Sequence, residues 1–198
     1  MMEWLLDLDT RIFLSINGLH NPAWDVIMWW ISGKFTWWPF YLLILIYLGI
    51  TKKMQLLPMV IFIALGITLT DQTSVHLFKN VFHRLRPCHE PFLEEVVHLV
   101  NGRCGGKYGF ISSHAANAFG VALLVISWTR KRWLTSIMVA WALLIGYSRI
   151  YLGVHYPGDV IAGGLWGAAC GWSLGLLYQW LLKRIPAHWK KYVVRSES

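Results

Sequence analysis

Apolar residues fall in long blocks along this chain, separated by short clusters of charge. Five blocks approach the ~20 residues that an α-helix needs to span a bilayer: 36–50, 56–78 (its last third polar), 115–129, 133–149 and 157–182. In the fifth, Gly163, Gly164, Gly167, Gly171 and Gly175 recur mostly at three- or four-residue spacing, a pattern that lets helices approach closely in lipid. Ahead of the blocks, Trp4 to Ile16 carries apolar residues at 4, 5, 8, 12, 13 and 16. That spacing predicts an amphipathic helix lying in the membrane interface. Asn17-Gly18 and Asn21-Pro22 break it, and 23–31 is too short to cross alone. The predicted fold is an all-α integral membrane protein: a bundle of five transmembrane helices behind an N-terminal interfacial helix, with the N-terminus outside. A sixth crossing built from the first 33 residues is the alternative. No internal repeat, low-complexity tract or linker interrupts the pattern, so 1–198 reads as one domain.

Composition sharpens this picture. Hydrophobic residues make up 56% of the 198 residues and charged residues 14%, against about 25% charge in soluble domains. An ordinary cytosolic globule and a disordered chain are both excluded. Three cysteines are too few for a disulfide-dense scaffold. Thirteen Trp and eight Tyr fit interfacial aromatic belts, and the Trp29-Trp30 and Trp37-Trp38 pairs read as belt residues rather than a ligand box. Residues 1–7 show neither a basic region nor a small-residue cleavage site, which predicts no signal peptide.

The net charge of +8 raises the question of a nucleic-acid partner. The positions of the charges answer it. With block ends alternating sides, Lys52, Lys53, Arg130, Lys131, Arg132, Lys183, Arg184, Lys190, Lys191 and Arg195 share one side with a single acid, Glu197. The other side holds eight basic residues and nine acids. The positive-inside rule places the first side, with the C-terminus, in the cytoplasm. The excess charge is a topology signal, and no nucleic-acid partner is expected, since such a footprint clusters on one face of a soluble fold.

The longest polar stretch, roughly 79–112, then lies outside. Lys79 and Arg86 are seven residues apart and share a face if their helix continues to Pro87. Two cations there could hold a phosphate; interfacial snorkelling is the plainer reading. Ser112 and Ser113 stand at the start of the next apolar helix, beside His114. Backbone N–H groups at such a start can face an anion, although simple N-capping accounts for the serines alone. Further on, Pro157 reads as the first turn of the fifth helix. His155 and Asp159 are then close enough for the carboxylate to bond one ring nitrogen, making the other a nucleophile. Arg149 offers a planar fork for phosphate oxygens. The plainer reading is an ion pair beside a Pro-Gly turn. All three pieces fall on the outer side, and without Lys79, Arg86 and Arg149 the charge bias is still ten to five.

Lys-x6-Arg-Pro, Ser-x-His and Ser-Arg-x5-His-x3-Asp, in this order on membrane helices, resemble the type 2 phosphatidic acid phosphatase superfamily, over roughly 56–182, with core motifs in 79–159. The middle motif departs from the usual Pro-Ser-Gly-His: Ile111-Ser112-Ser113-His114 puts a Cβ where the family has glycine. The resemblance implies that His155 attacks phosphorus and becomes a phosphohistidine. It implies that Asp159 orients His155, and that His114 protonates the leaving oxygen and then activates water. Lys79, Arg86 and Arg149 would neutralise the phosphoryl oxygens, with Ser112 and backbone groups near Ser113 completing the cradle. No metal or cofactor is implied, because the cations occupy the place of a magnesium ion. The implied protein is a lipid phosphate or pyrophosphate phosphatase of a bacterial inner membrane, acting on the outer side. Its substrate could be undecaprenyl pyrophosphate, phosphatidylglycerol phosphate, phosphatidate or a lipid A phosphate. A phosphotransferase with a lipid or sugar acceptor is the second reading. An anion transporter is a third, disfavoured because the cations gather at one surface rather than at midplane. Related haloperoxidases are soluble. Oligomeric state leaves no signal.

Four further expectations concern single residues. Asp71, about 12 Å deeper than Lys79, is expected in a buried hydrogen-bond network with Thr68, Thr70, Gln72 and Thr73. His83, His89 and His98 are expected to be solvated or near substrate. Cys88, His89, His98 and Cys104 match no common zinc spacing. Cys88 and Cys104 enclose 15 residues, in a segment that contains Gly102, Gly105, Gly106 and Gly109; outside the cytoplasm they are expected to form a disulfide that steadies this loop, leaving Cys170 as a free core residue.

Overall fold

The structure, a computed structural model, describes residues 2–185. Lys190, Lys191, Arg195, Glu197 and the tail assigned to the cytoplasm lie outside the described residues. The helices are α1 (Met2–Asn17), α2 (Pro22–Ser32), α3 (Trp38–Lys52), α4 (Leu56–Thr73), α5 (Asn80–Phe82), α6 (Ser113–Thr129), α7 (Arg132–Tyr151) and α8 (Pro157–Arg184). A π-helical turn, Ser74–Lys79, joins α4 to α5. Local chemistry sets the boundaries. Asn21 Oδ1 accepts Trp24 N–H at 3.0 Å and Pro22 opens α2. Lys53 ends α3 with φ 41°, and Arg130 ends α6 in the left-handed region. Pro157 opens α8, where the Asp159 carboxylate accepts the Tyr156 N–H at 3.1 Å.

Helix α6 is the centre of the bundle, with α8, α7 and α4 packed around it. Ala118, Ala122 and Val125 meet Leu134, Met138, Trp141 and Ile145 of α7. Leu124 and Trp128 meet Leu48, Met59 and Tyr178. The α6–α8 contact is different in kind, because backbone meets backbone. A Cβ added at Gly163, Gly167 or Gly171 would press on the carbonyl oxygen of Ser112, Ala116 or Gly120 respectively. That one-to-one register makes α6 and α8 parallel, so both begin at the same end of the bundle.

Among the described residues, three stretches are long and apolar enough to cross a membrane: Trp38–Phe82, which turns back at Lys53, Arg132–Tyr151 and Pro157–Arg184. Only 28% of the most apolar window of the first is buried inside the protein. Leu42, Leu43, Ile46, Leu57, Ile61 and Leu65 are among its exposed side chains. Such a surface requires lipid rather than water around it.

Helix α1 carries a second face that the amphipathic pattern does not reveal. Phe13 is fully buried against Tyr156, ring centroids 5.5 Å apart. Asn17 donates to the carbonyls of Tyr151 and His98, both at 2.8 Å, and Asp9 accepts the Gly158 N–H at 2.7 Å. These bonds lay α1 across the α7–α8 junction, while Trp4, Leu5, Leu8 and Ile12 remain exposed. Helix α2 packs against α7 at the same end.

The parallel contact gives a direct expectation. Gly167→Val drives a side chain into the Ala116 backbone and destabilises the bundle by about 1–3 kcal/mol. Unfolding midpoints in detergent measure it; a variant as stable as the parent refutes this contact.

Candidate active site

The loop between α7 and α8 reverses at Gly153, whose φ of 80° suits glycine, and delivers His155 just ahead of Pro157. His155 is 1% exposed and Asp159 0%. The His155 Nδ1 to Asp159 Oδ2 distance is 3.4 Å. A carboxylate only accepts, so Nδ1 carries the proton and the other ring nitrogen keeps its lone pair for the cavity that His155 lines. Burial first, and then Arg86, Arg149 and Lys79, hold the His155 imidazole well below its ordinary pKa. This environment favours the neutral ring.

Three cations face this ring by three different routes. Lys79 closes the π-helical turn, and its Nζ donates to Ser113 Oγ at 2.7 Å. The serine that departs from the family pattern therefore holds a site cation. Arg86 does not share a helix face with Lys79 as the spacing predicted. The helix stops at Phe82 because His83 turns left-handed, φ 49°. The chain then pairs with the 107–109 segment through Arg86 N–H to Lys107 O at 3.2 Å and Gly109 N–H to Arg84 O at 2.8 Å. Arg86 reaches the site from this loop, donating to Cys104 O at 2.9 Å and Tyr108 O at 3.3 Å. Burial lowers its pKa. Cys88 and Cys104 are joined in a disulfide, Cα atoms 5.9 Å apart, so the carbonyl that holds Arg86 belongs to a bridged residue. Cys170 is free and buried. Arg149, on α7, donates to Ser32 Oγ, and its Nε is buried without a partner among the described residues.

Ser112 takes a different place from the one the motif implied. Its Oγ accepts the Ala115 N–H at 3.4 Å, capping α6, and its own N–H donates to Asp159 O at 2.9 Å. It is fully buried and stands behind the cavity wall rather than in it. His114, two residues later, does line the cavity.

The cavity measures about 790 Å³. Lys79, Arg86, Arg149, His114 and His155 form one end; Leu45, Ile63, Val125, Met138 and Trp141 form the other, between α3, α4, α6 and α7. Asp71 differs from expectation. Thr70 makes the buried contact, donating to Asn117 Oδ1 at 2.5 Å, and Thr73 accepts from Trp166 at 2.8 Å. Asp71, Thr68 and Gln72 line the cavity instead. Among the loop histidines, His83 meets Tyr108 edge-on, His89 contacts Gly105 O at 3.2 Å and His98 pairs with Asp25 at 2.9 Å. Among the described residues no three or more His, Cys, Asp or Glu side chains are grouped to hold a metal ion.

Sequence reasoning missed four residues. Ser32 and Lys34 enter from the α2–α3 connection: Ser32 holds Arg149, and both line the cavity. Arg84 donates to Asp159 Oδ1 at 2.8 Å and to Asp9 Oδ2 at 2.6 Å. Arg84 carried a signal, as a cation two residues before Arg86. Asp9 carried none, since 75 residues separate it from Arg84.

Residues 55–186 match the model of the PAP2 superfamily. The chain belongs to the PAP2 superfamily. It is 42% identical over 189 residues to the lipid A 4'-phosphatase of Bacteroides thetaiotaomicron, covering 94% of this chain and 84% of that one. The corresponding enzyme of Porphyromonas gingivalis is 35% identical over 193 residues, covering 94% and 82%. The crystal structure of Aquifex aeolicus LpxE superposes with a TM-score of 0.63 at 31% identity, covering 86% of this chain and 96% of that one. As a member of this superfamily with lipid-facing helices, the chain is a membrane phosphatase.

Two outcomes test this geometry. Alkylation of denatured, non-reduced protein labels one cysteine, Cys170; three labelled cysteines would remove the bridge. Reduction lowers stability by about 3 kcal/mol for a loop of this length. The second concerns pH. The folded pKa of His155 lies below the 6.5 of a free histidine, so its contribution to stability is complete above 6.5 and is lost as pH falls below it. Melting temperatures should drop less on acidification in His155→Gln than in the parent. Equal slopes would show that His155 is not buried neutral.

Proposed function

We propose that this chain hydrolyses a phosphate ester of a membrane lipid at the outer face of the cytoplasmic membrane, through a phosphohistidine on His155. One observation carries the reading: two histidines and three cations converge at one end of a slot whose other end is apolar and lies among lipid-facing helices. A charged head and a hydrocarbon body fit such a slot together.

In the proposed reaction, the free nitrogen of His155 attacks phosphorus in line with the leaving oxygen. Lys79, Arg86 and the unpaired Arg149 Nε neutralise the phosphoryl oxygens. Protonated His114 gives its proton to the leaving oxygen as the P–O bond breaks. The proton on Nδ1 stays, and Asp159 stabilises the resulting cation. Neutral His114 then takes a proton from water, which attacks phosphorus, breaks the P–N bond and releases inorganic phosphate. No step requires a metal.

The side of action is supported by charge. Lys52 and Lys53 end α3, Arg130 and Lys131 follow α6, Arg132 begins α7, and Lys183 and Arg184 end α8, all at the end remote from the site. By the positive-inside rule that end is cytoplasmic. Five crossings follow: α3, α4 with α5, α6, α7 and α8, with α1 and α2 at the outer surface. The two relatives named for lipid A 4'-phosphatase activity make a lipid A phosphate the first substrate to try.

Purified protein with excess chelator is offered lipid A, undecaprenyl pyrophosphate, phosphatidylglycerol phosphate and phosphatidate, and phosphate release is measured. Rapid-quench trapping finds phosphohistidine in the parent and none in His155→Ala, which has no turnover. His114→Ala slows both steps by about 10²–10⁴-fold. A turning-over His155→Ala, or activity that only magnesium or zinc restores, would overturn the mechanism.

A further inference from the structure

We propose that Asp9 and Arg84 are positioning residues for His155, so that the N-terminal helix is part of the catalytic apparatus. The inference rests on His155 being the nucleophile. Its basis is a closed ring of bonds around Asp159. Asp159 Oδ2 faces His155 Nδ1 at 3.4 Å and accepts the Tyr156 N–H at 3.1 Å, while Oδ1 accepts from Arg84 Nη1 at 2.8 Å. With both oxygens held, the carboxylate cannot rotate away from the imidazole. Arg84 is itself fixed: its other nitrogen donates to Asp9 Oδ2 at 2.6 Å and its guanidinium lies 4.2 Å from the Tyr156 ring centroid. Asp9 Oδ1 closes the ring on the Gly158 N–H at 2.7 Å, one residue before Asp159.

The charges matter as much as the bonds. His155 gains positive charge as it attacks, and Asp159 must present negative charge to it. A lone Arg84 against Asp159 would cancel that charge. Asp9 shares Arg84, so the set of three keeps one net negative charge beside the nucleophile. In the cavity that His155 lines, Lys34, Lys79, Arg86, Arg149 and His114 are cationic or neutral and Asp71 is a carboxylate on α4; the set of three places its negative charge directly against the imidazole. Arg84 is 22% exposed and Asp9 14% by side chain, so the pair is shielded enough for the charges to act over short range.

Asp9→Asn separates this role from simple capping of α8, because an amide oxygen can still accept the Gly158 N–H while the charge is lost. With a soluble aryl phosphate as probe, phosphohistidine formation in Asp9→Asn slows about 10–100-fold, as loss of the group that orients a metal-bound histidine does. KM, the dephosphorylation step and the melting temperature stay at parental values. Arg84→Ala slows the same step, and added guanidinium restores it. A parental rate of phosphohistidine formation in Asp9→Asn overturns the proposal. So does a slowed rate accompanied by raised KM, lowered melting temperature and no guanidinium rescue, which would mark a purely structural bond. His155→Ala run in parallel isolates the underlying reading: a phosphoenzyme in that variant removes the nucleophile assignment and this inference together.

Discussion

The backbone contact between α6 and α8 sets the geometry on which everything else depends. Two parallel helices approach until the Gly163, Gly167 and Gly171 positions rest on carbonyl oxygens of the partner. Parallel packing at that distance brings two helix starts side by side. One start carries Ser112 and His114, the other His155 and Asp159. The Ser112 N–H to Asp159 O bond, 2.9 Å, ties the two together. In lipid, where apolar burial between helices gains little, such packing and hydrogen bonding are the available forces. The spacing of the two histidines is therefore a consequence of glycine spacing some way down the helix.

Around that fixed pair the molecule solves an electrostatic problem. In the proposed reaction three cations stand close together to receive a phosphate. Each is held by a neutral oxygen: Lys79 by Ser113, Arg86 by Cys104 and Tyr108 carbonyls, Arg149 by Ser32. Among the described residues none forms an ion pair with a carboxylate that a substrate would have to displace. The carboxylates stand one layer back, where Asp159 and Asp9 flank Arg84. Neutral contacts aim the cations without quenching them. The disulfide serves the same end, since a glycine-rich loop would otherwise leave the Cys104 carbonyl loose.

The outer surface follows from the lipid environment. Helices α3, α4 and α8 keep large apolar side chains exposed because the surrounding solvent is hydrocarbon, while the cavity between α3, α4, α6 and α7 stays continuous with the polar end. Helix α1 belongs to both worlds. Its apolar edge remains outside, and its polar edge, through Asp9 and Asn17, is bonded to the α7–α8 junction.

Hydrophobic periodicity and fixed motif spacing made much of this legible. The helical class, the lipid-facing character and the residues His155, Asp159, His114, Lys79, Arg86 and Arg149 could all be read from order along the chain. They could be read because block length translates into position and because the motif spacing resembles that of a known superfamily. What the chain could not show was anything that depends on contact between distant segments. Arg86 reaches the site from a loop because His83 turns the backbone left-handed, a local conformation that spacing does not encode. Ser112 faces inward as a cap and Ser113 outward toward Lys79, a choice made by how α6 meets α8. Asp71 lines the cavity, and Thr70 makes the buried bond, because rotation of α4 about its axis is set by its packing against α6. Asp9 is the clearest case. On its own helix it is one more polar residue, and only tertiary packing brings it beside Arg84 and the start of α8.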